Sequence, residues 1–243
     1  MEIANQQPLT TSGSSYSILR LVTVCLFACI IAACSTQQNH SNAQHTSINL
    51  TSSDLETYGL AFLSPATVTG KEEDKQAVAF IFAKVLKDDR PNIRQVSMPH
   101  ALGAINNAGL ASAYKRMLQS YQTTGIFDQN TLTKIGDAVN ARYLLQLNLS
   151  SFNQGSHGRF SMLGYRLFQT KYADIRIFIQ VWDSDTGSIV WEGVEELTLA
   201  EDTRAQKVIN FTSVVEASAR SLISLLPYEE HNPEDVSQML TTE

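Results

Sequence analysis

Two alternating runs, Ala173 to Trp182 and Ile189 to Leu199, flank the turn cluster Asp183-Ser184-Asp185-Thr186-Gly187-Ser188. Alternation at period two around a polar, glycine-containing break is the pattern of a β-hairpin, and it assigns each side chain to a face. Ile175, Ile177, Ile179 and Val181 fall on one face, and Arg176, Phe178, Gln180 and Trp182 on the other. A turn over Ser184 to Gly187 pairs Trp182 with Ile189, Gln180 with Trp191 and Arg176 with Glu195. The second face then carries Phe178, Trp182 and Trp191, where a half-buried antiparallel sheet ordinarily leaves polar residues. Such a face needs a cover. It is either helices of the same chain or a partner surface, since aromatic residues and arginine are enriched at interfaces.

The rest of the chain supplies helices and further strands. Tyr58 to Ser64 is a short apolar run that reads as a buried strand. Thr69 and Glu72 have the spacing of a capping box, ahead of a helix that is apolar at Ala77, Val78, Ile81, Val85 and Leu86 and closed by Pro91. Asn92 to Met98 reads as a second strand. Pro99 opens a helical region reaching Tyr121, broken at Asn106-Asn107-Ala108-Gly109. Asp128 caps a helix through Val139, and Arg142 to Phe152 alternates as a strand. Ser213 and Glu216 offer another capping box for a helix that stops at Pro227. The order β-α-β-α-α-β-β-β-α predicts a single α/β (α+β) domain over residues 54–227. Its sheet is mixed, mainly antiparallel, of about five strands packed with helices.

At the N-terminus, the apolar run Leu21 to Ala33 follows Arg20 and ends in Ile31-Ala32-Ala33-Cys34. The run is well short of the about 20 residues that span a bilayer, and it suits the apolar region of a signal peptide. Its last four residues resemble the lipobox of bacterial lipoproteins: an aliphatic residue, two small residues, then the cysteine that is lipidated. The resemblance implies that residues 1–33 are a signal peptide and that Cys34 carries a diacylglycerol and a further acyl chain such as palmitate. Ser35, rather than Asp, implies sorting to the outer membrane with the domain facing the periplasm. Cys25 and Cys29 leave with the signal peptide and the Cys34 sulfur is occupied, so no disulfide staples the mature chain. Stability falls to a conventional core. Residues 34–53, rich in Ser, Thr, Asn and Gln after Cys34, read as a disordered tether. Such a tether has a mean reach of roughly 25 Å.

The charge pattern excludes one class of partner. Net charge is -6, but residues 228–243 carry Glu229, Glu230, Glu234, Asp235 and Glu243 without a cation and read as an acidic disordered tail. The domain itself is near neutral, whereas a nucleic-acid-binding domain is expected to be basic. Between the strand regions, Gln154 to Lys171 holds Arg159, Phe160, Tyr165, Arg166, Phe168 and Lys171 and no acid. Either its apolar residues cap the core or extend the hairpin strands, or it is a basic, aromatic surface for an acidic partner, peptidoglycan or a lipid headgroup layer.

Catalytic patterns are missing from the sequence. It has no G-x-S-x-G, H-E-x-x-H, P-loop or G-x-G-x-x-G pattern. His40 and His45 are isolated in the tether, and His100 and His157 have no sequence partners for a triad or a metal site. Glu195 and Glu196, adjacent on a strand, point to opposite faces and cannot make a glycosidase pair. No catalytic residue, metal or cofactor is expected, and the chain reads as a non-enzyme.

An early strand Gly59-Leu-Ala-Phe-Leu63, a helix leading into a strand over Leu132 to Leu149, and the hairpin Val181-Trp-Asp-Ser-Asp-Thr-Gly-Ser-Ile-Val-Trp-Glu192 carry a second likeness. Over roughly residues 57 to 227 the chain resembles the domain shared by curli-secretion (CsgG-like) lipoproteins and lipoprotein activators of penicillin-binding proteins. The resemblance implies a membrane-anchored binding, assembly or regulatory module of the cell envelope. Its partner would be an envelope protein or peptidoglycan, and an oligomer is compatible with it. The alternative it implies is a subunit of an oligomeric outer-membrane secretion pore of the curli type. A pore subunit needs about four membrane strands of 9 to 11 residues with a lipid-facing alternation. Only Gln154 to Lys171 reads as a comparable segment, and its cations interrupt any apolar face.

Overall fold

A computed structural model describes residues 37–162, 165–203 and 209–228, with side chains described outside 37–39, 157–170 and 201–203. In chain order the elements are β1 (Gln37–Ser47), α1 (Ser52–Tyr58), β2 (Leu60–Phe62), β3 (Ala66–Thr67), α2 (Glu72–Asp89), β4 (Gln95–Val96) and α3 (Met98–Asn107). There follow α4 (Ala111–Thr124), α5 (Gln129–Val139), β5 (Tyr143–Met162), β6 (Tyr165–Asp183), β7 (Ser188–Thr203) and α6 (Phe211–Ser224). Seven strands make one sheet in the order β1-β7-β6-β5-β2-β4, with β3 paired to β5. The four long strands are antiparallel neighbours, and the short β2, β3 and β4 run parallel to theirs. The mixed α/β class of the sequence reading holds, with a sheet wider than its five strands.

Two apolar cores lie on opposite faces of this sheet. Val78, Phe82 and Val85 of α2 and Val215, Ala219 and Leu222 of α6 pack with Ile175, Ile177, Ile179 and Val181. Ala101 and Ile105 of α3, Tyr114 and Met117 of α4, and Leu132 and Ile135 of α5 pack with Leu144 and Trp182 on the other face. A sheet covered on both faces explains why Leu60-Ala61-Phe62 is continuously buried rather than alternating.

Several local signals act as the sequence implies. The Asp128 carboxylate accepts from the Thr131 N–H at 2.9 Å and caps α5. Gly109, at φ +72°, makes the break between α3 and α4 that Asn106 to Gly109 predicts. Neither expected capping box forms. Lys71 is the N-cap of α2 without a side-chain bond, because Thr69 instead bonds the Asp74 carboxylate at 2.6 Å. Asn210, not Ser213, caps α6, its side chain accepting from the Ser213 N–H at 2.8 Å. The second strand contracts from Asn92–Met98 to Gln95–Val96.

The polar segment expected to be a disordered tether is the largest correction. Gln37 to Ser47 forms β1, in unbroken antiparallel register with Glu201 to Trp191 of β7. Its polarity reflects an edge position whose side chains face solvent. The ladder is made of backbone bonds, which composition does not reveal. Thr51 and Asp54 then form a reciprocal capping box that starts α1, and Leu50 and Leu55 dock in the first core.

The hairpin register also differs from the sequence reading. An irregularity between Val181 and Trp182 places Val181 opposite Trp191, Gln180 opposite Glu192 and Arg176 opposite Glu196. Trp182 still faces Ile189. A β-bulge changes the residue count on one strand only, and simple counting from the turn cannot see it. Arg176 therefore pairs with Glu196, Nε to Oε1 at 3.1 Å, while Glu195 turns inward opposite Ile177.

Candidate functional site

The aromatic face read from the hairpin is divided between the two cores. Trp182 lies under α4 and α5, 4.9 Å from the Phe127 ring and 6.3 Å from Tyr121. Trp191 is on the opposite face and fully buried among the residues of the first core. Phe178 is half-buried on the Trp182 side. The chain's own helices thus cover Trp182, and the bulge removes Trp191 from that face altogether.

Gln154 to Lys171 is the distal part of one long hairpin. Its backbone pairs from Gln154 with Ala173 out to Met162 with Tyr165, so the segment extends the two hairpin strands. Phe160, Tyr165, Arg166 and Phe168 hold register positions there, Arg159 falls at the irregularity between Gly158 and Phe160, and the side chains of all five lie outside the described residues. Lys171 is half-buried at the level of Ser156 and Glu201. Cys34 also lies outside the described residues.

Ionisable groups near the hairpin turn serve the fold. The Arg142 guanidinium grips Asp183 with Nε at 3.0 Å and Nη2 at 2.7 Å. It lies 5.1 Å from the Tyr58 ring centroid, and its carbonyl accepts the Ser184 N–H at 2.9 Å. Burial alone would raise the Asp183 carboxyl. The Arg142 fork and the N–H groups of Asp185 and Thr186 outweigh it and hold Asp183 below the usual carboxylate range. The same bond to Asp183 raises Arg142 above its ordinary value.

Glu195 is fully buried, its Oε1 accepting from Ser41 Oγ at 2.6 Å and its Oε2 from Ser221 Oγ at 2.5 Å. Those bonds tie the edge strand to α6. Among the described residues no group of three or more His, Cys, Asp or Glu is placed to hold a metal. His100 Nδ1 is within 2.8 Å of Ser97 Oγ, and His45 stacks near the Trp191 ring at 6.1 Å.

Two concavities stand out. One, of about 10 Å³, lies between the sheet and α6 beside Phe62, Trp191 and Leu222. It is no larger than a single water site requires and is entirely apolar, so it is a packing gap. The other is an open groove of about 1430 Å³ along the β4 edge of the sheet, between α2 and the start of α3. Ile93 and Met98 are buried in its floor, and Phe80 stands on its α2 wall with 71% of its surface exposed.

The apolar arc of α2 explains this wall. Val78, Phe82, Val85 and Leu86 face the core, while Ala77, Phe80 and Ala83 form a second stripe at helical spacing toward the groove. Gln95 lies on the floor, its Nε2 donating to the Ala83 carbonyl at 3.0 Å, and its Oε1 is buried without a hydrogen-bond partner.

The groove's charges are Lys84 and Lys87 against Glu72. Lys84 is 3.6 Å from Asp88 and 3.7 Å from Glu216, whereas Lys87 meets no carboxylate among the described residues. The chemistry on offer is apolar contact with Lys84, Lys87, Glu72 and the polar side chains of Gln76, Ser97 and His100 around it. That suits docking of a peptide-like segment rather than bond making. Sequence reading missed this site. Its signal was Phe80, an aromatic off the core stripe and one turn ahead of Lys84.

No family model and no curated protein matches the chain. Among solved structures it is similar to a PelC dodecamer subunit from Paraburkholderia phytofirmans, at 12% identity and a TM-score of 0.47, over 79% of this chain and 100% of that one. It is also similar to lipoprotein GNA1162 from Neisseria meningitidis, at 8% identity and a TM-score of 0.34, over 76% and 99% of the two chains. The LpoB C-terminal domain from Escherichia coli matches at 14% identity and a TM-score of 0.35, over 57% and 82%. At these scores the likenesses carry no argument about what the chain does.

Proposed function

We propose that this chain is a lipid-anchored envelope lipoprotein that acts by binding or assembly rather than by catalysis. In this reading Cys34 holds it to the outer membrane, with the folded domain on the periplasmic side. The observation that carries the reading is the closeness of the lipobox cysteine to the fold, since β1 begins at Gln37. Three residues span at most about 10 Å. The anchor therefore joins the edge strand almost directly, and the roughly 25 Å stand-off expected of a long tether is lost.

The start of β1 also has a fixed level in the sheet. Gln37 is opposite Glu201, and Glu201 is opposite Lys171, so the distal β5–β6 hairpin continues past the point where the anchor attaches. Arg159, Phe160, Tyr165, Arg166, Phe168 and Lys171 fall in that distal part. They are the surface we assign to contact with the headgroup layer or with an envelope partner held there, since cations and amphipathic aromatics suit both.

A curli-type pore is the weaker reading. Four antiparallel strands of sufficient length do lie side by side, but β1 has Ala43 as its only apolar residue and offers no lipid-facing alternation.

The test uses the acylated protein in its native envelope. Cross-linking should capture a neighbour through wild type. Charge reversal of Arg159, Arg166 and Lys171 should abolish capture while the thermal transition stays unchanged. Undiminished capture would remove that surface from the proposal, and Cys34→Ala that still sediments with membranes would remove the lipid anchor.

A further inference from the structure

We propose that the groove between α2 and α3 is a docking site for the chain's own acidic segment, residues 229–243. The inference rests on the groove and on where the described chain leaves it, and it is independent of the lipid anchor.

The exit point comes first. Arg90, the residue that ends α2, donates through Nη1 to the Leu226 carbonyl at 3.1 Å and through Nη2 to the Pro227 carbonyl. Its guanidinium lies 5.1 Å from the centroid of the Tyr228 ring. Arg90 thus satisfies the orphan carbonyls beyond α6 and fixes the chain where it leaves the fold. The residues on either side of that clamp, Lys87 and Pro91, line one end of the groove. The segment after Tyr228 therefore starts at the mouth of the groove. Its 15 residues can extend to about 50 Å, against about 27 Å for the 18 residues of α2.

The chemistry of the segment complements that of the groove. Glu229, Glu230, Glu234 and Asp235 come first, and no Lys or Arg follows Tyr228. The groove end nearest the exit carries Lys87 and Lys84. Farther along the segment Val236, Met239 and Leu240 recur at i, i+3 and i+4, the spacing with which an amphipathic helix fills an apolar groove. Asn232-Pro233-Glu234-Asp235 has the residue types of a helix start. The apolar triplet would cover Phe80, whose ring is otherwise the most exposed large apolar side chain among the described residues. Any envelope partner using this groove must then displace the segment first.

Amide exchange on the full chain tests this. Compared with a chain ending at Tyr228, full-length protein should protect residues 76–87 and 95–102 by about tenfold. Adding the peptide 229–243 to the shortened chain should restore that protection. Lys87→Glu in the full chain, at a lysine that meets no carboxylate among the described residues, should reproduce the loss in part, which separates docking from any effect of shortening on folding. Equal exchange in full and shortened chains would overturn the proposal. So would protection that fades on dilution of the full chain, because the occupant would then be a second copy.

Discussion

Gly193 stands two residues beyond Trp191 on β7, and a Cβ built there would lie 2.5 Å from Trp191 Cη2 and 3.2 Å from Leu222 Cδ2. The indole is fully buried between the sheet and α6, and the gap of about 10 Å³ beside it and Leu222 is too small to take a displaced ring. Gly193→Ala should therefore destabilise the domain by about 1 to 3 kcal/mol, read as a lower urea midpoint at unchanged slope. Asp183 makes a second prediction at this scale. Its carboxyl is held below its ordinary value in the fold, so the Arg142 pair contributes fully above the unfolded value of about 3.9. That contribution is lost as pH falls through the depressed folded value. Asp183→Ala should cost about 2 to 3 kcal/mol near pH 7 and progressively less in acid, measured by thermal melts across that range. The sequence could place Asp183 in the turn, but Arg142, which grips it, stands just before the start of β5 and meets it only in three dimensions.

At the scale of elements, Glu195 decides how firmly β1 is held. Its two oxygens join Ser41 on the edge strand to Ser221 on α6, and both hydroxyl bonds go with the carboxylate. Glu195→Ala should cost about 1.5 to 3 kcal/mol and raise amide exchange in residues 37–47, with Tyr143 to Leu149 unaffected. Exchange rising equally in both regions would mean that Glu195 supports the core and not the strand. This element also marks the limit of sequence reading. Val78, Val85, Ile135 and Leu222 declare their helices because burial imposes periodicity on apolar residues. β1 buries almost nothing of its own and is held by a ladder, so Gln, Asn, Ser and His read as loop. The hairpin was legible as an element, but its register was not. One unpaired residue, Val190, reverses the face of Trp191 and sends Glu195 inside. The groove went unread for a similar reason, since Phe80 lines it only once α3 and β4 have been brought alongside α2.

At the scale of the whole molecule, the anchor sequence and the fold meet at a single strand. If Cys34 is acylated, Cys34→Ala should release the protein into the soluble periplasmic fraction without changing its melting temperature. Loss of folding in that variant would mean that the cysteine serves the domain as well as the membrane. The antiparallel pairing of β1 with β7 has a mechanical consequence. β1 runs from Gln37, three residues after Cys34 in sequence, toward Ser47, ahead of α1 and the core. Were Cys34 acylated as proposed, a pull between bilayer and domain would enter the fold at the first residue of this strand, and any component of it along the strand axis would act on the β1–β7 ladder. The rungs from Gln37–Glu201 to Ser47–Trp191 are loaded in shear, sharing the tension, instead of being peeled one after another. Detachment under force is governed by an unfolding rate, and a ladder that must fail all at once gives that rate a high barrier.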